Sequence, residues 1–261
     1  MKQPLKFTIA TVTYNAAKLI ARTIESVERQ TYPAVEHLII DGNSTDETLE
    51  MVHHYMERNS VAEIPHEVNC LSEPDEGIYD AMNKALNMMT GRYIVFLNAG
   101  DTFHSPDTLA DIASRIEAEP RHPAVVYGDT HLVDSEGHFL RSRRLAPPDE
   151  LTWHDFKHGM LVCHQAFYAR TDLAREFPYD LRYRFSADYD WTLRIMRAAE
   201  ERGEKMLNAH KVLADYLSVG ATTQNHRRSL LERLSIMARH FGWGTAISQH
   251  LWFVIRAVIK R

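Results

Sequence analysis

Through its first hundred residues the chain alternates short β-branched apolar runs with segments whose apolar side chains recur at helical spacing. That order builds a mostly parallel sheet with helices packed on it. Phe7 to Val12 reads as the first strand. Lys18 to Gln30 follows as a helix with Leu19, Ile20, Ile24 and Val27 on one stripe, and Tyr32-Pro33 ends it. Glu36 to Ile40 is the second strand. Asn43-Ser44-Thr45-Asp46 then offers N-caps to a helix carrying Leu49, Val52 and Met56 and running to about Arg58. Val68 to Leu71 gives a third strand. Gly77 to Met89 reads as a helix with Ile78, Met82, Leu86 and Met89 on one face, and Tyr93 to Leu97 as a buried strand.

Beyond residue 101 the pattern loosens. It predicts a helix over Thr108 to Ala118, a strand over Ala124 to Tyr127, and a hairpin from Thr130 to Leu140 turning at Ser135-Glu136-Gly137. His164 to Tyr168 reads as a strand, Asp188 to Arg202 as a helix, Val212 to Leu217 as a strand and Arg227 to Phe241 as a helix. The expected class is α/β with a Rossmann-like central sheet. One domain is expected over 1–225, in halves 1–101 and 102–225, followed by a helical C-terminal extension over 226–261.

Composition removes several classes of function. With 30 Lys and Arg against 35 Asp and Glu the net charge is −5, so no basic nucleic-acid footprint is expected. Cys70 and Cys163 stand far apart and form neither a disulfide framework nor a zinc ribbon, which points to a reducing, cytoplasmic setting. The start, Met1 to Lys6, has no signal-peptide core, and no uninterrupted apolar run reaches spanning length. Motif searches exclude more. Thr13-Tyr14-Asn15-Ala16-Ala17 after the first strand lacks the glycines of a dinucleotide fingerprint, and there is no P-loop. Asp41-Gly42-Asn43-Ser44-Thr45 begins like a calcium loop, but Asp46 stands where glycine is needed and Val52 where a bidentate glutamate is needed. His154 and His158 lack the zinc-protease glutamate and read as surface residues or a core edge.

What remains is a row of polar and acidic groups at strand ends: Thr13-Tyr14-Asn15, then Asp41, then Glu73-Pro74-Asp75-Glu76, then Asn98-Ala99-Gly100-Asp101. In open α/β sheets ligands bind beyond the carboxyl ends of the strands. Carboxylates gathered there repel one another unless a cation or a hydrogen-bonding ligand intervenes, and oxygen donors suit Mg²⁺ or Mn²⁺ with phosphate oxygens. For Asp101 the competing reading is an Asx turn capping its own backbone.

Four motifs in order carry a resemblance: Thr13-Tyr14-Asn15, Ile39 to Asp46, Glu73 to Lys84, and Phe96 to Asp101. Over about residues 5 to 220 the chain resembles the family 2 glycosyltransferases, inverting enzymes of GT-A fold that use nucleotide-diphosphate sugars. The Gly77-Ile78-Tyr79-Asp80-Ala81-Met82-Asn83-Lys84 run resembles the bacterial surface-polysaccharide, colanic-acid-type branch. The resemblance implies that residues 1–101 bind the nucleotide-sugar and 102–225 the acceptor, a glycan or lipid-linked saccharide. It implies that Asp41, Thr13 and Asn15 line the donor pocket, with Asp75, Asn83 and Asn98 bordering it, and that Asp101 ligates Mn²⁺ or Mg²⁺. Phe185-Ser186-Ala187-Asp188-Tyr189-Asp190-Trp191 resembles the motif that supplies the base. Asp188 is the expected general base, Asp190 the reserve, and His164 and Gln165 lie on the acceptor side.

Gly42, Met82 and Gly100 depart from the family pattern, which often has an acid, an arginine and an acid there, and the nucleotide base stays open. Val219-Gly220-Ala221-Thr222-Thr223 is read either as a loop closing over the diphosphate or as an ordinary polar loop. The tail from Phe241 to Arg261 mixes Trp243, Leu251, Trp252 and Phe253 with Arg256, Lys260 and Arg261. It suits an interfacial helix on the cytoplasmic face of an anionic membrane, against packing on the domain or on a second copy. A scaffold that keeps the nucleotide pocket without catalysis is the alternative to an enzyme.

Overall fold

The computed structural model describes residues 4–218 and 226–259. The Val219 to Thr223 loop therefore lies outside the described residues, as do the side chains of the tail beyond Phe253. The first half follows the alternating pattern closely: β1 Phe7–Thr13, α1 Ala17–Glu28, β2 Val35–Asp41, α2 Thr48–Ser60, β3 Glu67–Ser72, α3 Ile78–Met88 and β4 Tyr93–Phe96. β1 pairs in parallel with β2 and β4, and β2 with β3. Every residue of β1, β2 and β4 is buried, as continuous β-branched runs demand when helices cover both faces.

The second half comprises β5 Thr102–Phe103, α4 Thr108–Glu117, β6 Val125–Val133, β7 Phe139–Ser142, β8 Phe167–Arg170, α5 Thr171–Glu176, α6 Ala187–Glu201 and β9 Met206–Leu217. Two helices follow, α7 His226–Phe241 and α8 Trp243–Ile259. All strands join one sheet of order β3-β2-β1-β4-β8-β6-β9-β5, with β7 on β6. β8 inserts antiparallel between β4 and β6, and β6 runs parallel to β9, so the parallel character of the first half gives way to a mixed arrangement.

Two local expectations shift. The strand expected from His164 begins only at Phe167, because His164 to Ala166 form a 3₁₀ turn that points polar side chains at two acids. Asp46 does not N-cap α2 in the usual way; Glu47 holds that position, while Asp46 accepts Thr48 N at 3.1 Å and Ala17 N at 3.1 Å and so ties the starts of both helices. His154 and His158 sit exposed, as surface residues, on a 3₁₀ segment, Trp153–His158.

An aromatic knot fixes α6 against the sheet. Trp191 stacks on Tyr179 at 4.9 Å, and Phe96 of β4 meets both edge-on at 5.9 and 5.5 Å. Each such pair contributes about 0.5–1.5 kcal/mol beyond its buried area. Trp191 lies one helical turn after Asp188, so the knot sets where that carboxylate stands. Asn83 serves the same end: its amide donates to Tyr179 O at 3.0 Å and accepts Tyr179 N at 2.7 Å. Ile236, Met237 and Ala246 of the last two helices are buried in the main core.

Candidate active site

The strand ends meet as the parallel register requires. Thr13 lies beside Asp41 and Asp41 beside Ser72, while Gly42 N donates to Thr13 O at 2.9 Å. Asp41 is fully buried; its carboxylate accepts Ser44 N at 2.8 Å, Ser44 Oγ at 2.5 Å and Ser72 Oγ at 2.7 Å. Asp41 thus shapes the loop after β2. Asn15 takes a left-handed φ of 47°, a conformation Asn tolerates, and its Oδ1 accepts Thr45 N at 2.9 Å. Asp75 makes a turn, accepting Gly77 N at 2.8 Å. A Cβ on Gly42 would lie 2.6 Å from Asp75 Oδ2 and 3.3 Å from the Tyr14 ring, so glycine lets Asp75 and the exposed Tyr14 approach across it.

The Asn98 to Asp101 turn is closed by Asp101 N donating to Asn98 O at 2.9 Å. Thr23 of α1 clamps it from beneath, accepting Gly100 N at 2.9 Å and donating to Asp101 O at 2.7 Å. Asp101 does not cap its own backbone. Its buried carboxylate accepts Gln165 Nε2 at 2.9 Å and Leu217 N at 3.2 Å. Burial pushes this carboxyl up, opposed by the Gln165 hydrogen bond and the field of His164. Gly100 has φ +102°, and a Cβ there would stand 2.5 Å from Leu217 Cδ1. A side chain there would be strained at this φ and would have to displace the Leu217 methyl.

Across the cleft, Asp188 Oδ1 accepts the Tyr79 hydroxyl at 3.1 Å and Tyr189 N at 2.9 Å, and Oδ2 lies 3.5 Å from His164 Nδ1. Asn98 Nδ2 reaches His164 Nε2 at 3.2 Å. The Asn98 amide beside Nε2 leaves Nδ1 as the nitrogen that faces Asp188. Burial raises the Asp188 carboxyl, but hydrogen bonding and charge from His164, with Arg233 behind, bring it below the usual carboxylate range. Tyr79 is held far above its ordinary value, first by burial and then by the Asp188 charge, so it stays a donor.

Asp190 belongs elsewhere. Fully buried, it accepts Arg194 Nε at 2.7 Å and pairs with His240 Nε2 at 2.9 Å, tying α6 to α7. Burial raises its carboxyl, and His240 and Arg194 outweigh that to leave it low. Sequence reasoning missed Tyr79, which the Gly77 to Lys84 run contains without any role attached to it. It also missed Thr23, whose hydroxyl is hidden within an amphipathic stripe.

The residues fit a divalent cation in donor type. Asn98 Oδ1 and Thr13 Oγ1 are buried without a hydrogen-bond partner and so keep lone pairs that a ligand can use. Asn98 and Asp101 are hard oxygen donors, and each Asp101 oxygen retains a lone pair beyond the bond it accepts. No helix among the described residues is long and apolar enough to cross a membrane.

The model of glycosyl transferase family 2 matches residues 8–176. A PGL/p-HBAD biosynthesis glycosyltransferase of Mycobacterium bovis is 33% identical over 240 residues, covering 89% of this chain and 85% of that one. Among solved structures, S. aureus TarS superposes with a TM-score of 0.67 at 19% identity over 96% of this chain, which spans only 43% of the TarS chain. TarS 1-349 in complex with UDP-GlcNAc gives the same TM-score over 95% of this chain and 73% of that one. Mannosyltransferase PcManGT from Pyrobaculum calidifontis, in complex with GDP-Man and Mn²⁺, gives 0.57 at 20% identity over 97% of this chain and 65% of that one. Strand-end polar groups, a central sheet that continues into a second half, and a match spanning both halves of the cleft agree: this chain belongs to glycosyl transferase family 2.

Proposed function

We propose that the protein is an inverting glycosyltransferase that moves a sugar from a nucleotide-diphosphate donor to a hydroxyl of a glycan or lipid-linked acceptor in surface polysaccharide or glycoconjugate synthesis. The observation that carries this reading is the His164-Gln165 dipeptide, which contacts an acid on each side of the cleft. Asp188 is the general base. It is ionised at neutral pH and already hydrogen-bonded in place, so it takes the acceptor's proton as that oxygen attacks the anomeric carbon. The new glycosidic bond forms on the face opposite the diphosphate. The old carbon–oxygen bond breaks with its electron pair leaving on the diphosphate, and the configuration inverts.

His164 keeps the base oriented, and Tyr79 holds its other oxygen. Asp190 fixes α6 and takes no proton. On the donor side Thr13, Asn15 and Asp75 line the pocket, Tyr14 offers an exposed ring for a nucleobase, and Asp41 and Asn83 hold the surrounding loops in shape. Asn98 and Asp101 would hold Mn²⁺ or Mg²⁺, which when bound offsets the charge on the leaving diphosphate. Trp243, Ile247 and Leu251 repeat every four residues along one exposed face of α8, with Trp252 beside them. That face rests on a membrane surface, which brings the cleft to an acceptor carried on a lipid diphosphate. We read 226–261 as a docked appendage to the catalytic part.

The test is a panel of UDP-, GDP- and dTDP-sugars with Mn²⁺ or Mg²⁺, following thermal stabilisation and slow release of nucleoside diphosphate. One donor should stabilise the protein and be hydrolysed slowly. Asp101→Ala should lose metal-dependent stabilisation, and Asp188→Asn should keep it while losing transfer. Stabilisation without turnover by any donor would identify a binding scaffold instead.

A further inference from the structure

Three side chains outside the cleft, from three different strands' reach, converge on one point of the sheet. His104 follows β5, His131 lies in β6 and Asp215 in β9. The register sets them side by side, since both Thr102 and His131 pair with Asp215. His104 Nδ1 stands 2.9 Å and His131 Nδ1 3.8 Å from the same Asp215 Oδ1, and the rings meet edge-on at 5.0 Å. We propose that His104, His131 and Asp215 form a binding site for a divalent transition-metal ion of the Zn²⁺ type, separate from the oxygen-donor pair Asn98 and Asp101.

The donor set, two imidazoles and a carboxylate, suits Zn²⁺, Co²⁺ or Ni²⁺ and not Mg²⁺. Spacing agrees. The three ligand atoms lie within 4.8 Å of one another. Metal–ligand bonds of about 2.0–2.1 Å at tetrahedral angles put ligand atoms about 3.3 Å apart, so small ring rotations close the site. His104 hydrogen-bonds Asp215 Oδ1 at 2.9 Å, whereas His131 at 3.8 Å is too far for a hydrogen bond to it, so His131 Nδ1 is left to ligate a cation beside that oxygen. The side chains are 39%, 24% and 21% exposed, which leaves an open side for water as fourth ligand. The Phe139 ring, 4.7 Å from that of His131, walls another side. Bound there, the ion would cross-link β5, β6 and β9, two residues before Leu217, whose N–H holds Asp101. Its role is to brace that edge of the cleft.

The experiment uses tag-free protein stripped with chelator and no nucleotide, titrated with Zn²⁺ by calorimetry and with Co²⁺ by visible absorption. One ion per chain should bind, and a hundredfold excess over Kd should raise Tm by roughly 5–10 °C. His131→Ala and His104→Ala should each weaken binding at least tenfold while Asp101→Asn leaves it intact; His131→Gln, which keeps a polar side chain, serves if alanine disturbs the stripped fold. Binding that is absent, or that survives both histidine changes, overturns the proposal. Loss with Asp101→Asn alone would assign the ion to the cleft. Because no donor is present, failure here leaves the glycosyltransferase reading untouched.

Discussion

Two aspartates stand one residue apart at the start of α6, and the geometry gives them opposite duties that substitution can separate. Asp190 is buried, with Arg194 at 2.7 Å and His240 at 2.9 Å. Asp190→Ala leaves the buried His240 imidazole and the part-buried Arg194 Nε without their acceptor, a loss of the kind that costs about 3–5 kcal/mol. In a chain of this size each kcal/mol lowers Tm by about 2–4 °C, so a fall of roughly 6–20 °C is expected. Asp188→Asn is different. The amide oxygen still accepts Tyr79 and Tyr189 N–H, while its NH₂ meets His164 Nδ1, which can accept only once the ring proton moves to Nε2 and the Asn98 amide turns to receive it, so the change in stability stays at about 1–2 kcal/mol. Transfer should fall by about 10²–10⁴ for loss of the base. Guanidinium unfolding followed by fluorescence reads the first effect, and nucleoside diphosphate release with acceptor, per folded molecule, reads the second. Should Asp190→Ala unfold at the wild-type midpoint yet lose transfer as completely as Asp188→Asn, the division of roles is wrong and Asp190 is the reacting acid.

Further expectations follow from the same contacts. His164→Ala removes the group that outweighs burial at Asp188, so that carboxyl rises; the acid limb of the kcat/KM profile should move to higher pH, whereas an unmoved limb would detach His164 from the base. Since Asp190 is held low when folded, the stability it contributes is present above the ordinary Asp range near pH 4 and is lost as pH falls through its lower folded value; acid unfolding of Asp190→Ala should therefore show a shallower pH dependence. Gly100→Ala forces a side chain into a positive-φ position and against Leu217, and should cost about 1–3 kcal/mol in denaturant unfolding, part of it recovered by adding Leu217→Ala. Replacing Trp243 and Leu251 with serine should abolish co-sedimentation with anionic vesicles without altering nucleotide binding; unchanged sedimentation would remove α8 from the membrane.

The first half of the fold was legible because its physics is local. Buried parallel strands are unbroken β-branched runs, and amphipathic helices between them declare their period, so β1 to β4 and α1 to α3 differ from the sequence reading by a residue or two. Parallel pairing then brings Thr13, Asp41, Ser72 and Asn98 to one edge with no further information. The second half was less legible because its order is not local. β8 is contributed late and inserted between β4 and β6, and nothing in Phe167 to Arg170 encodes which strands it will find. Side chains were read by type and not by reach. The partners of Asp41 and Asn83 were not legible: Asp41 bonds Ser44 in its own loop and Ser72 at the end of β3, and Asn83 bonds the backbone of Tyr179, 96 residues away in sequence.

The late insertion of β8 is what makes the cleft possible. A 3₁₀ turn advances about 120° per residue, so adjacent side chains can serve different partners. Placed just before β8, beside the end of β4, that turn sends Gln165 to Asp101 in the first half and His164 to Asp188 in the second. Asn98 then returns from the first half to hold the far nitrogen of His164. The two halves are thereby joined through two adjacent side chains and not through the sheet alone. A strand beginning at His164 would alternate its side chains across the two faces of the sheet, so His164 and Gln165 would point opposite ways and only one of the acids could be met. The departure from strand at residues 164–166 is therefore the local irregularity that the proposed chemistry requires.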